Sequence, residues 1–200
     1  MTTVRCAATM LQRTFDEWRQ QGDDLWLFAY GSLIWKTEFD VAEKRPARVH
    51  GHHRALQMWS RVNRGTPERP GLVLALISGG SCRGMALRVK AEQVPDMLPR
   101  LWQREMPNPV YDPKWLPCHT PQGPVKALSF TLSRHSPNFT GRLSDARYRE
   151  IFAHSRGRYG STIDYARLTC DHLRAIGILD AELERVVALA APQPSPHHAT

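Results

Sequence analysis

Leu25-Trp26-Leu27-Phe28-Ala29-Tyr30-Gly31-Ser32-Leu33-Ile34-Trp35 is the stretch that sets the reading of this chain. Residues 25–30 form a continuous apolar run, the pattern of a strand covered on both faces. Gly31-Ser32 breaks the run. Glycine permits a sharp turn at low steric cost and lets a ligand approach the backbone closely. A loop at a strand's end, with its N–H groups turned one way, can form an anion-binding nest. The plain alternative is a strand followed by a tight turn.

Outward on the N-terminal side, residues 7–21 read as an amphipathic helix. Met10, Leu11, Phe15 and Trp18 recur at helical spacing and Gly22 is its stop. On the other side, 38–44 is polar and reads as a loop, and 46–60 as strand. In that strand His50, His52 and His53 stand close together. Two histidines two apart share a strand face and can bind a metal, but no third ligand stands near them in sequence, so no metal site is assigned. Residues 61–71 carry turn chemistry with arginines in it. It is either a solvated loop or a place where Arg64 or Arg69 meets an anionic substrate. Residues 72–77 read as a buried strand, 78–81 (Ser-Gly-Gly-Ser) as a hairpin loop, and 82–89 as the partner strand.

Residues 91–106 read as a helix, with Pro95 in its first turn and Pro99 marking a kink or a later start. Leu98, Leu101, Trp102 and Glu105 fall at i, i+3, i+4 and i+7 and share the apolar face. A glutamate there is anomalous, because carboxylates are rarely buried without a partner. Burial raises a carboxylate's proton affinity and makes it a better base when ionised. A pair with Arg104 or another arginine, or a helix end turned outward, is the bland account. Pro107, Pro109 and Pro113 end the helix around Tyr111. Two strands follow, over 115–120 and 125–132. The last third is helical, with caps at Ser144, at Ser161 or Thr162, and at Asp180. Strands without regular strand–helix alternation imply an α+β domain around a curled or barrel-like sheet.

Composition narrows the classes of function. The net charge is +8, yet the 27 Lys and Arg are spread along 200 residues without a basic run or a nucleic-acid signature. A nucleic-acid partner is therefore not expected, and a small anionic substrate is. The four cysteines, Cys6, Cys82, Cys118 and Cys170, make no close pair and read as reduced, mostly buried fillers. There is no apolar leader and no window of membrane-spanning length, so a cytoplasmic location without a membrane partner is expected.

These pieces together resemble the ChaC-like γ-glutamylcyclotransferases. Residues 25–35 resemble that family's Phe-Gly-Tyr-Gly-Ser-Leu-hydrophobic-Trp segment. The resemblance continues in Gly51-His52-His53-Arg54, Arg64-Gly65-Thr66, Pro70-Gly71-Leu72-Val73, Gly84-Met85-Ala86, Arg104-Glu105-Met106, Tyr111, and Gly160-Ser161 with Asp164-Tyr165. It spans roughly 25–189 in the right order, far more specific than one motif. Ala29 departs from it, standing where the family usually has its first glycine. The resemblance implies a small mixed β-barrel with flanking helices over 25–190, after an N-terminal helix and lead-in over 1–24 and before a disordered tail over 191–200. It also implies cleavage of glutathione to 5-oxoproline and cysteinylglycine without a cofactor. The catalytic glutamate carries over to Glu105. The substrate-binding loop carries over to Tyr30, Gly31, Ser32 and Leu33, with Tyr111, Ser161 and Tyr165 as further substrate-binding positions. A cyclotransferase for another γ-glutamyl amine, or a binding or regulatory protein on the same fold, is the alternative.

Overall fold

Strand β1 (Leu25–Ala29) forms where the apolar run places it, with four of its five residues buried. In this computed structural model residues 5–191 are described. They gather into two compact units that interleave in sequence. The first runs to Met58 and resumes over Leu74–Phe139; the second comprises Trp59–Val73 and the described residues from Thr140 onward.

The first unit holds helix α1 (Ala7–Gln21), β1, most of β2 (Glu43–Ser60) and β3 (Gly71–Val89), helix α2 (Val94–Glu105), β4 (Asp112–Thr120) and β5 (Gly123–Leu132). The five strands close into a mixed barrel in the order β1-β3-β2-β4-β5, with β5 returning to β1. β1 runs antiparallel to β3, from Leu25↔Val89 to Ala29↔Met85, and parallel to β5 at Trp26↔Ala127 and Leu27↔Leu128. With neighbours on both sides and both faces covered, β1 can be apolar throughout. Phe28, Val49, Leu76, Ala86 and Ala127 meet in the barrel core. Each large side chain buried there contributes about 1.5–3 kcal/mol relative to exposure. Cys82 and Cys118 are packed into the same cluster, and burial pushes the Cys118 thiol up to about 12, so it is an inert filler.

One expected element is corrected. Residues 78–81 are no hairpin loop, and the strands on either side do not pair with each other; β3 runs unbroken through them. The half with Leu76 and Ile77 pairs with β5, while the half from Met85 to Val89 pairs with β1. Gly79 (φ 100°) and Gly80 (φ 71°) adopt left-handed backbone inside the strand. Two such residues bend a strand without ending it, as in a bulge at a barrel corner. Glycine pairs carry the same local signal for a bend and for a hairpin. The neighbouring strands decide between them.

α2 begins after a 3₁₀ turn, Ala91–Gln93, and keeps Pro99 inside it. Its apolar stripe of Leu98, Leu101 and Trp102 is buried, which holds the helix together across the proline. It stops at Glu105, just before Pro107.

In the second unit Ser144 caps α3 (Asp145–His154), accepting from the Arg147 N–H. A two-stranded hairpin, β6 (Arg156–Gly157) with β7 (Gly160–Ser161), lies where the sequence shows only helix-breaking glycines. Ser161 then caps α4 (Thr162–Ala175) and Asp180 caps α5 (Ala181–Ala188). All of the predicted tail except Ala191 lies outside the described residues. Among the described residues no helix is long and apolar enough to cross a membrane.

Candidate active site

The turn after β1 is held from beneath. Arg54 on β2 is only 6% exposed. It donates from Nε to the Tyr30 carbonyl at 2.5 Å and from Nη2 to the Arg83 carbonyl at 2.6 Å. Since C=O and N–H of a trans peptide point opposite ways, a held Tyr30 carbonyl aims the Gly31 N–H away from Arg54. The Gly31 carbonyl accepts from Ile34 N at 2.9 Å and opens a 3₁₀ turn, Ser32–Ile34, in which Leu33 and Ile34 are buried. The first N–H groups of such a turn have no acceptor within it, so Ser32 and Leu33 open it as donors. The Tyr30 hydroxyl donates to the Phe130 carbonyl at 2.9 Å.

Glu105 ends α2, and its side chain is 18% exposed. Arg104 beside it reaches in three directions. Its Nε lies 3.2 Å from Glu105 Oε1, its Nη2 donates to Ser32 Oγ at 2.9 Å, and its Nη1 donates to the Lys36 carbonyl at 2.5 Å. The turn after β1 and the end of α2, far apart in sequence, are thus joined. Burial holds the Glu105 carboxyl above its ordinary range. The Arg104 guanidinium pulls it down, and the Glu38 carboxylate adds a smaller push upward. The arginine pair that offered a bland account of Glu105 is present, yet burial outweighs it. A carboxyl in this state exchanges a proton nearer neutral pH than an exposed one would.

Tyr111 is buried, and its ring meets Phe130 edge-on at 6.3 Å. Trp102 of α2 meets the same ring at 5.5 Å. Arg5 secures this segment from the chain's start, donating to the Tyr111 carbonyl at 2.5 Å and pairing with Asp112 at 2.7 Å. Phe130 is therefore the common neighbour. Its carbonyl takes Tyr30, and its ring takes Trp102 and Tyr111. Tyr30, Ser32, Glu105 and Tyr111 belong to one connected set in the first unit, with Gly31 and Leu33 between them in the turn.

Ser161 and Tyr165 belong to the second unit. Ser161 Oγ accepts from Asp164 N at 3.1 Å and donates to Asp164 Oδ2 at 2.6 Å, so it caps α4 with both its donor and an acceptor engaged. Tyr165 is buried, and the Arg64 guanidinium lies 4.9 Å from its ring centre. Burial lowers the proton affinity of Arg64 against the opposing pull of Tyr165 and Asp164. Arg64 also donates to the Tyr159 carbonyl. Arg69, the other arginine offered for this loop, is exposed.

Of the three clustered histidines, His53 faces the Gly79 carbonyl at 2.8 Å through Nδ1, and His50 packs against His119 with ring centres 5.2 Å apart. Among the described residues no three His, Cys, Asp or Glu side chains are grouped to hold a metal ion.

Two contributors were not assigned a role from the sequence. Phe130 looks like any strand aromatic, and its carbonyl contact has no sequence signal. Arg54 does leave one, an arginine directly before the apolar Ala55-Leu56 in a strand.

The closed mixed barrel with its flanking helices is the γ-glutamylcyclotransferase fold. A glutathione-specific γ-glutamyl cyclotransferase structure from yeast superposes with a TM-score of 0.77, covering 88% of this chain and 99% of that one, at 19% identity. The family model for ChaC-like protein matches residues 25–192, and the chain belongs to that family. It is 31% identical over 170 residues to glutathione-specific gamma-glutamylcyclotransferase 1 of Rattus norvegicus, covering 82% of this chain and 77% of the relative. It is 30% identical over 157 residues to the glutathione-specific gamma-glutamylcyclotransferase of Escherichia coli K12, covering 78% and 68%.

Proposed function

We propose that this chain cleaves glutathione to 5-oxoproline and cysteinylglycine, with Glu105 as the general acid and base. The reading rests on the partly buried Glu105 carboxyl, tied through Arg104 to the turn after Tyr30, in a chain about 30% identical to enzymes named for this reaction.

The substrate's own α-amine attacks its γ-carbonyl carbon. A new C–N bond closes a five-membered lactam, and the amide bond to the cysteine nitrogen breaks. The α-ammonium sheds two protons in becoming the lactam N–H, and the leaving nitrogen gains two in becoming an ammonium, so the step balances without water or any other reactant. A free α-amine has a pKa of about 8 and is mostly protonated at neutral pH. Glu105 takes that proton and returns one to the leaving nitrogen. Ring closure needs a folded substrate, so orientation carries much of the barrier. The N–H groups around Gly31, Ser32 and Leu33 supply donors for the α-carboxylate or the developing oxyanion. Tyr30 and Tyr111 wall the same cluster. Ser161 and Tyr165 belong to the second unit, where they cap α4 and meet Arg64; their substrate-binding role is carried by the family resemblance alone. The basic surface raises the local concentration of an anionic substrate.

Product analysis tests the proposal. Purified protein and a Glu105→Gln variant are incubated with reduced glutathione. Wild type is expected to release 5-oxoproline and cysteinylglycine, and the variant to lose roughly 10²–10⁴-fold in rate. Equal release by the variant removes Glu105 as the acid–base group. No release by wild type, with turnover of other γ-glutamyl amines, moves the assignment to a different substrate. Ala29, fully buried where the family usually has glycine, gives that second reading its footing.

A further inference from the structure

We infer that Arg104 is a positioning residue that fastens the segment 32–36 to the end of α2 and holds the Glu105 carboxylate where the substrate amine must meet it. This rests on the reading of Glu105 as the acid–base group.

The geometry separates Arg104 from an ordinary surface ion pair, which contributes little. Its side chain is 19% exposed, and its three nitrogens go to three different targets, a carboxylate, a hydroxyl and a carbonyl. A planar guanidinium can serve all three at once; a lysine ammonium is a single compact donor group. The three targets are the acid–base carboxylate, Ser32 in the turn proposed to bind substrate, and Lys36 just beyond that turn. One side chain therefore sets the distance between the proton acceptor and the substrate's anchoring groups. Reaction rates are sensitive to such placement on the scale of an ångström.

A second consequence concerns protons. The charged groups facing Glu105 are Arg104 from its own helix and Glu38 from the segment after the turn, with Lys36 Nζ held 3.4 Å from Glu38. Arg104 is the one that favours the ionised carboxylate. Replacing it with a neutral residue leaves burial and Glu38 unopposed and raises the proton affinity of Glu105. The ionised base is then lost at a higher pH. The acidic limb of the kcat/KM profile therefore moves toward neutral pH.

The test compares wild type, Arg104→Met, Arg104→Lys and Glu105→Gln for glutathione cleavage across pH, with thermal melts alongside. Arg104→Met is expected to raise KM about tenfold, the factor that one lost charge-assisted hydrogen bond represents, and to shift the acidic limb upward. Arg104→Lys is expected to keep the limb near its wild-type position while KM stays raised, because charge returns and the three-way grip does not. Wild-type KM and limb in Arg104→Met overturn the inference. If Arg104→Met fails to fold, Arg104→Lys decides, with a raised KM supporting the inference and a wild-type KM overturning it. Full activity in Glu105→Gln overturns the acid–base reading and this inference with it. Inactive Glu105→Gln beside an unperturbed Arg104→Met overturns the positioning role alone.

Discussion

Glu105 in the first unit and Asp164 in the second are both carboxylates near an arginine, and their surroundings push them in opposite directions. Glu105 sits at a helix C-terminus, where the helix dipole disfavours negative charge, and burial holds its carboxyl above the ordinary range. Asp164 lies in the first turn of α4. The Ser161 hydroxyl, before any other group, holds its carboxyl below the ordinary range, with Arg156 and Arg167 adding to the effect. The first carboxylate is costly to the fold at neutral pH and suited to moving protons. The second supports the fold and is poorly suited to proton transfer. Two arginines repeat the contrast. Arg104 joins the Glu105 carboxylate to the turn after β1, whereas Arg64 lies over an aromatic ring and donates to a backbone carbonyl.

Substitutions in the two units should therefore fail in different ways. The largest effect is expected from Glu105→Gln. It should lose roughly 10²–10⁴-fold in kcat for 5-oxoproline release while still melting cooperatively. A comparable loss of folded protein would place Glu105 among the structural residues instead.

Gly65→Ala should do the reverse. The loop 61–71 folds back so closely that a Cβ on Gly65 would strike the Gly71 nitrogen and lie 2.6 Å from the Arg69 carbonyl oxygen. Backbone cannot yield as a side chain does, and a loss of about 3 kcal/mol or more is expected in denaturant melts. Thr162→Val comes next. Thr162 is fully buried and its hydroxyl accepts from Leu72 N at 2.8 Å. An isosteric valine leaves a buried N–H without that acceptor, at about 1–3 kcal/mol. Ser161→Ala should destabilise by about 1 kcal/mol through loss of the α4 cap. An accompanying rise in KM for glutathione would support the substrate contact proposed for Ser161. An unchanged KM would leave it a capping residue.

The smallest and most diagnostic effects are in pH. Because the folded proton affinity of Glu105 is raised, its contribution to stability is full below the ordinary carboxylate range and is lost as pH rises through the folded value. Glu105→Gln should therefore match or exceed the wild-type Tm at pH 7, and the difference should vanish as pH falls below that range. Asp164 is lowered, so its contribution is present above the ordinary range and lost as pH falls through its folded value. Asp164→Asn should lower Tm at pH 7, and its deficit should close in acid. The effect will be small, because the Asp164 side chain is 60% exposed and solvent screens it. Tm curves that move together would break the comparison.

The residues differ in how readable they were. Glu105 could be singled out because helical periodicity is local. Leu98, Leu101 and Trp102 mark a face, and the Glu105 carboxylate, seven, four and three residues further along, falls on it. The strand–turn boundary at Tyr30-Gly31 was readable for the same reason. The Ser78-Gly79-Gly80-Ser81 segment was misread because its local chemistry suits both a hairpin and a bend, and only the partners of β3 tell them apart. The β6–β7 hairpin was missed because two-residue strands have no alternation to detect.

Pattern within a few residues therefore accounts for the helices and their caps, the apolar β1, the glycine turn and the anomalous glutamate. These follow from dihedral preferences and from one face of an element meeting its core. The strand order and register that close the barrel, the bend in β3, Arg54 beneath Tyr30 and the reach of Arg104 from Glu105 to Ser32 were decided by tertiary structure alone. Each joins groups that are neighbours only once non-local strand pairing has set the register. No spacing along the chain encodes which carbonyl or hydroxyl a guanidinium will find there.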